Sequence, residues 1–581
     1  MKYFFSVLIL FMISNQVIGQ LREVEGKILN ASTNEEIPFA NIWNRSIQKG
    51  TISNVDGFFK LQLENFSDTI VVSAVGYKSQ RFVLDEKIDF YLFKMKENIV
   101  ELIEVTIKPK DDFYLYELLS KCKNQSNKHK QLAKSYYELK TYVNDSQVEL
   151  VEGFFNAEIS GYELQDHELK AGRIAMKRYQ DNKRMFVSYE SSKSFLLSKV
   201  MNETNYFPLS PFSLNAKKMR RSFFLQMDRK YLDDEKDSIV VISYSPRKKS
   251  GEYYTGKIWL NTSTNRLLKI TMNCEKCKVH PFLPLHPMDS ILLVNLQITK
   301  TFAKNGDNQL FNHVDFNYAI AFKSRFGKLG EMDYVISTNA LFYAYDYEQV
   351  FTIPKFYFDK DASDYRKILS MPTNDFFWKY NDEYHLNDSK NRNDRFMSDS
   401  TVFLNGDLNG IDPIYKNGKF FQQQYVKWST KRVIFKDYMT DTLLNNHSKV
   451  ALDRSFNLAV QVFFDRNTYK DSTNILTCTI FDPYQSYYLL PIDNKTNCFI
   501  NIYFDLCEIE RRKFEVKLKS KEWSEEEIEV LYSRFVDDYN LLKNKYLRSV
   551  DHGNNRSELS KWNTLVMKHL KIDNMALFEI Q

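Results

Sequence analysis

Cysteine is scarce in this chain, with six residues in 581, too few for a disulfide-built scaffold. Glycine (17) and proline (13) are sparse as well. Charge of one sign is also missing: 80 basic residues face 74 acidic ones, a formal +6. So small an imbalance leaves no electrostatic footprint for nucleic acid. After the first twenty residues no apolar run approaches the roughly 20 residues a membrane-spanning helix needs. No G-x-G-x-x-G, Walker-type loop or G-x-S-x-G occurs, and the nine His are scattered. What the chain does have is 43% apolar residues and 15% aromatics, with 45 Phe and 36 Tyr. That composition excludes disorder over most of the length and favours pleated, half-buried β surfaces. At roughly 100–200 residues per domain, the length suggests three or four domains.

The first residues read as an export signal. Lys2 supplies a positive start, Tyr3 to Ile13 an apolar stretch, and Val17-Ile18-Gly19 a small-residue cleavage site before Gln20. The apolar stretch is about half a membrane span, so a signal peptide over 1–19 is expected rather than an anchor. The expected mature chain is exported and lacks a transmembrane segment. No Cys follows the apolar stretch, so lipidation is not indicated there.

From Val24 to about Ile107, short strands alternate with turn signals, the pattern of a β-sandwich. The candidates include Val24 to Ile28, Ile37 to Ile42, Asp68 to Ser73 and Val100 to Val105, and Asp56-Gly57 reads as a hairpin turn. In order stand G-x-I at Gly26, Pro38-Phe39-Ala40-Asn41-Ile42, Gly50-Thr51-Ile52-Ser53-Asn54-Val55-Asp56-Gly57-Phe58-Phe59, Gly76-Tyr77 and Glu104-Val105. This series resembles the carboxypeptidase-regulatory-like domain of envelope proteins. The resemblance implies a transthyretin-like sandwich over 20–107 with no catalytic residues of its own, in a periplasmic or outer-membrane-associated protein of a gram-negative-type cell.

A linker helix is expected within 108–135, where Tyr114, Leu115, Leu118, Leu119 and Cys122 recur at helical spacing. Across 136–355 the signal returns to long strands. Val314, Phe316, Tyr318, Ile320 and Phe322 alternate with Asp315, Asn317, Ala319 and Ala321, a period of two. Strands without αβ alternation predict a central curved antiparallel sheet or half-barrel. Tyr254 to Asn261 followed by Leu267 to Ile270 resembles a hairpin of lipoprotein-carrier-like half-barrels, whose concave face can hold acyl chains. The aromatic pairs Phe154-Phe155, Tyr253-Tyr254 and Phe376-Phe377-Trp378 read as strand packing. Residues 356–425 are polar connecting structure with short elements.

The region 426–581 carries the most chemistry. Strands at Leu458 to Phe464 and Ile475 to Phe481 precede a helix expected near Cys498. Phe499, Ile502, Tyr503, Leu506 and Ile509 form one apolar stripe on it. Two more helices are expected at Ser524 to Leu547 and Ser557 to Leu570, and Ser524 with Glu527 is a capping-box signature. Phe481-Asp482-Pro483-Tyr484-Gln485-Ser486-Tyr487, then Phe504-Asp505-Leu506-Cys507-Glu508-Ile509, then Tyr546, His552-Gly553 and Trp562, resemble a family of secreted zinc proteases. In that family the helix reads H-E-x-x-H-F-D-(I/L)-x-E, so the resemblance implies an α+β zincin-like domain. At the positions of its two His and its Glu, this chain has Phe499, Tyr503 and Ile500. Two imidazoles four apart ligate zinc and the neighbouring carboxylate takes a proton from the bound water; Phe and Ile can do neither. His552 alone remains of a ligand set. No catalytic residue, metal site or cofactor is therefore expected in this domain.

A second cluster, Cys274 and Cys277 with His280 and His286, holds two thiols and two imidazoles that can close a tetrahedral zinc site. A local disulfide or two free thiols are the alternatives. The expectation is a non-enzymatic exported envelope protein with a binding or assembly role, whose partner is an envelope protein or peptide. The alternatives are a zinc hydrolase with a relocated site at Cys274 and His280, and a lipid or lipoprotein carrier using the central half-barrel.

Overall fold

The computed structural model describes residues 22–44, 49–54, 56–63, 69–85, 87–88, 90–98, 112–125, 130–176, 191–233, 236–283, 289–305, 308–324, 332–347, 349–358, 362–381, 395–396, 425–437, 456–469, 472–483 and 485–579. Residues 1–19, read from sequence as a signal peptide, the strand expected at Val100 to Val105, and most of the connecting segment beyond residue 381 lie outside them.

Among the described residues the N-terminal module has seven strands: β1 (Arg22–Asn30), β2 (Asn41–Asn44), β3 (Lys49–Ile52), β4 (Phe58–Leu63), β5 (Thr69–Ser73), β6 (Gln80–Val83) and β7 (Phe90–Met95). They form two sheets, β4-β1-β7 and β3-β2-β5-β6. Alternate residues of both turn inward, so Val24, Ile28, Ile42, Phe59, Val72 and Phe93 make one dry core. One expectation fails here. Asp56-Gly57 does not close a hairpin, because β3 and β4 belong to different sheets. The Asn54 side chain accepts from the backbone N–H groups of Asp56 and Phe58, and Gly57 sits at φ +74°, turning the chain from one sheet into the other.

Helix α1 (Asp112–Asn124) follows, with Leu115, Leu118, Leu119 and Cys122 buried in the central core. The next strand begins at Lys130, inside the segment read from sequence as linker up to 135. Ten long strands then build one antiparallel sheet. They are β8 (Lys130–Val143), β9 (Ser146–Ser160), β10 (Glu163–Met176), β11 (Phe223–Leu232), β12 (Ser238–Pro246), β13 (Gly256–Asn261), β14 (Arg266–Cys274), β15 (Ser290–Asn305), β16 (Asn308–Ser324) and β17 (Met332–Asp346). The order is β10-β9-β8-β17-β16-β15-β14-β13-β12-β11, an open sheet with no barrel closure. Short helices α2 (Ser191–Leu197) and α3 (Ala216–Ser222) pack with α1 on one face. That face is already filled: Phe195 meets Phe316 and Phe342 at ring-centroid distances of 6.1 and 5.5 Å, and Phe207 meets Phe316 at 5.9 Å.

After the sheet come α4 (Asp364–Ser370) and α5 (Asp375–Tyr380). Phe376-Phe377-Trp378 thus lie on a helix, not on a strand. Asn374 caps that helix by accepting from the N–H groups of Phe376 and Phe377, and Phe377 packs edge-on against Phe154 at 5.2 Å.

The C-terminal unit contains β18 (Val426–Lys427), β19 (Phe456–Asn457), β20 (Val460–Tyr469), β21 (Ser472–Phe481) and β22 (Tyr487–Tyr488), then α6 (Asn494–Leu518), α7 (Glu525–Ser549) and α8 (Arg556–Leu570). The β20–β21 hairpin is extended by β18, and β19 pairs with β22. Helix α6 starts four residues ahead of the expected Cys498, because Asp493 caps it by accepting from Thr496 N–H. The Ser524–Glu527 capping box of α7 is present with both reciprocal bonds. Among the described residues no helix is long and apolar enough to cross a membrane.

Candidate functional site

The start of α6 is buried nearly all round, and it carries the three positions that sequence singled out. Phe499, Ile500 and Tyr503 are 1%, 0% and 1% exposed. Phe499 and Tyr503 lie one helical turn apart and both stack on Tyr546 of α7, at centroid distances of 5.8 and 6.2 Å. The Tyr546 hydroxyl donates to the Phe499 carbonyl oxygen at 2.7 Å. His552 reaches the same place from the link between α7 and α8. Its ring meets Phe456 edge-on at 4.8 Å and Phe499 at 6.5 Å. The link turns there because Asp551, His552 and Gly553 all have positive φ. At Gly553 (φ +92°) a Cβ would press on Phe499 and Lys495. The fold thus stacks Phe499 and Tyr503 on one tyrosine ring, with His552 against the Phe499 side of the cluster.

These residues do not fit zinc. Phe499 and Ile500 offer no lone pair, burial pushes the Tyr503 hydroxyl well above the usual tyrosine range, and His552 is a single imidazole. The cluster behaves as aromatic packing, with rings offset or edge-on as their quadrupoles prefer.

The polar residues next along α6 tie this core to its surroundings. Buried Asp505 accepts from Trp428 Nε1 (2.7 Å), Arg432 Nη1 (2.8 Å) and Asn574 Nδ2 (2.7 Å). Burial raises its pKa, and those three donors offset part of the rise. Three residues on, burial opposes ionisation of Glu508, but hydrogen bonds from Arg511 and Arg512 outweigh it and hold its pKa below the ordinary value. Thr479 of β21 also donates to Glu508, at 2.8 Å. Asn497 and Asn501 accept from the backbone N–H groups of Phe435 and Val433. In the turn before α6, Asp482 is fully buried and Ser486 Oγ donates to its carbonyl at 2.6 Å. Asp505, Glu508, Asn497 and Asn501 thus clamp the helix to the rest of the unit.

The second candidate cluster does not assemble. Cys274 and Cys277 are joined as a disulfide, one of the alternatives the sequence left open, and that consumes both thiolates. His280 stacks on Phe282 at 5.7 Å, with its pKa lowered by burial, and His286 lies outside the described residues. Among the described residues no three His, Cys, Asp or Glu side chains are grouped to hold a metal ion. Cys122, Cys478, Cys498 and Cys507 are buried and unpaired, and burial raises each of their pKa values. Alkylation under denaturing, non-reducing conditions is therefore expected to modify four cysteines, and all six after reduction. Six modified before reduction would refute the pairing.

Sequence reasoning missed the buried ionic groups, which look like ordinary polar strand residues. Lys170 of β10 donates to Asp465 of β20 at 2.5 Å with both side chains buried. His313 of β16 is fully buried against Phe39 of the N-terminal module. Also unread was a groove between α6, α7 and α8, about 800 Å³ in volume.

Comparison with known proteins gives one family match. Residues 24–107 match the CarboxypepD_reg-like domain family. The N-terminal module is that domain, and the match covers only this part of the chain. No curated protein shows significant similarity. Among solved structures, a LolA superfamily protein from Nitrosomonas europaea aligns over 40% of this chain and 93% of its own, at 12% identity and TM-score 0.17. MucB of the Pseudomonas aeruginosa MucA/MucB complex aligns over 40% and 93%, at 10% identity and TM-score 0.14. A protein of unknown function from Bacteroides fragilis aligns over 56% and 99%, at 8% identity and TM-score 0.12.

Proposed function

We propose that this chain is a non-enzymatic exported protein of the cell envelope with a binding or assembly role. Its C-terminal unit would be a zinc-protease-like fold whose metal position is closed by packed rings. The observation that supports this most directly is that Phe499 and Tyr503 both stack on Tyr546 while His552 packs against Phe499. A metal-binding helix and its third ligand would meet in that way, and here the meeting place is filled by carbon. The clamps on Asp505 and Glu508 support the same reading, since they account for the carboxylates of the motif by scaffold roles alone. The relocated zinc hydrolase loses its thiolates to the Cys274–Cys277 disulfide. A carrier role for the central sheet is disfavoured because the chain's own aromatic residues occupy its helix-covered face.

Elemental analysis and a casein-cleavage assay on the full-length protein test the proposal. Substoichiometric zinc and no cleavage are expected. The variant Phe499→His/Ile500→Glu/Tyr503→His, which restores two imidazoles and a carboxylate beside His552, is expected to gain stoichiometric zinc. Stoichiometric zinc in the native protein, or peptide-bond cleavage by it, would overturn the reading.

A further inference from the structure

The groove between the C-terminal helices runs from the far end of α6 back to Lys545, the chain neighbour of Tyr546 on α7. Its floor is apolar: Ile509 and Phe514 of α6, Phe535 of α7 and Leu570 of α8 are buried there. Val516 and Leu541 stand at its mouth, 70% and 72% exposed. Large apolar side chains left so open beside an apolar floor mark a contact surface. The rim is mainly basic, with Arg512, Lys513 and Lys517 on α6, Lys545 on α7 and His569 on α8 against Glu510 and Asp538. Lys513 already pairs with Glu510 at 2.7 Å, and Arg512 with Glu508 at 2.8 Å. Lys517 and Lys545 carry no such ion pair among the described residues and mark opposite ends of the groove, since α6 and α7 run antiparallel, with Phe514 stacked on Phe535 and Phe499 on Tyr546.

We infer that this groove receives an acidic amphipathic α-helix of a partner polypeptide. The inference rests on the binding role proposed above and names its site and the chemistry of its ligand. Helical walls spend their N–H and C=O groups internally, so they offer no edge for an added strand, and the occupant must satisfy its own backbone. The α7 wall from Leu531 to Lys545 runs about 21 Å at 1.5 Å per residue, room for roughly four helical turns. Apolar side chains at i, i+3, i+4 and i+7 of the occupant would lie on the floor. Its acidic flanks would meet cations at both ends. A fatty acid, with one anionic head, would answer only one of those ends.

The test uses full-length protein and fluorescence anisotropy. The probe is a fluorescein-labelled peptide of about sixteen residues, long enough for that wall, with Leu on one helical face and Glu on the rest. Its affinity should exceed that of the same peptide with Lys in place of Glu by at least about tenfold at low salt, and should fall as salt rises. Lys517→Glu/Lys545→Glu should weaken it at least about tenfold, and Leu541→Asp should abolish saturable binding. These positions are on the surface, so an unchanged thermal midpoint certifies the fold of each variant. Equal affinity for the acidic and basic peptides, or indifference to these substitutions, would overturn the inference. Displacement of the peptide by palmitate at matched concentration would overturn it in favour of a lipid site. Cleavage of the bound peptide would sink the non-enzymatic reading and leave the groove standing, whereas no binding by intact, non-cleaving protein would sink the groove alone.

Discussion

Lys170→Met is expected to destabilise the chain by about 3–5 kcal/mol, the loss typical when one member of a buried ion pair is removed. Lys170 is 1% exposed, and its Nζ donates to Asp465 at 2.5 Å and to the Thr352 carbonyl at 2.7 Å. Asp465 also accepts from Asn374 Nδ2 (2.9 Å) and Asn467 Nδ2 (2.7 Å). Methionine matches the length of the lysine stem but leaves a buried carboxylate facing two neutral amides. The lysine is itself held against the cost of dehydration, which pushes its pKa down. Replacing the pair as a whole is different. Lys170→Met/Asp465→Leu removes both charges together and should recover most of the loss. Because the pair joins β10 to β20, the loss should appear in thermal unfolding of the sheet and in hydrogen exchange of the β20–β21 hairpin. For a unit of this size a midpoint drop of about 6–20 °C is expected. A drop of under 2 °C, or a double variant worse than the single one, would show that the pair is not the clamp described.

His313 sets the second expectation, which is a dependence on pH. Among the described residues neither ring nitrogen of His313 has a hydrogen-bond partner, and the ring is fully buried with Phe39 at 3.8 Å. Burial, aided by the charge of Lys269, pushes its pKa down to about 3. Its unfolded value is about 6.5. A folded pKa below the unfolded one means the folded state rejects the proton. The stabilisation is complete above about pH 6.5 and drains as pH falls toward about 3. Between pH 7 and 4.5 the wild type should lose about 2–3 kcal/mol relative to His313→Phe, which has no proton to take up. Asp315, whose pKa is raised to about 6 by burial, titrates in both proteins and cancels in the comparison. Urea unfolding of the pair at the two pH values reads the difference. A gap that does not change with pH would show that the ring is not dry. Because His313 lies beneath Phe39, contact between the N-terminal module and the sheet should be the first casualty of acid.

What could be read in advance was whatever repeats locally. The period-two alternation in β16 and the apolar stripe of α6 each follow from side chains a few positions apart. The capping box of α7 is likewise spelled out by Ser524 and Glu527. Phe499 and Tyr503 were legible as neighbours because they stand four positions apart on one helix. The misses share a cause. Asn497 reads as loop because it is polar, yet it is buried against the Phe435 backbone, so α6 begins earlier than its apolar stripe does. Asp56-Gly57 signals a turn correctly but does not say whether the chain returns to the same sheet. Phe376 to Trp378 carry strand-like side chains on a helix held by Asn374. Lys170 and Asp465 lie 295 positions apart, and nothing near either residue announces the other. The groove combines three helices, each of which looks like an ordinary amphipathic helix alone.

The order of strands has a consequence for how the chain matures. β8 lies inside the sheet, yet its two neighbours are made at very different times: β9 follows after two residues, while β17 does not begin until Met332. In the interval a fourteen-residue strand shows one flank of open N–H and C=O groups, ready to zip onto any extended chain that passes. The cell must keep the nascent hairpin solitary until its late companion arrives, and that waiting time is written into the topology.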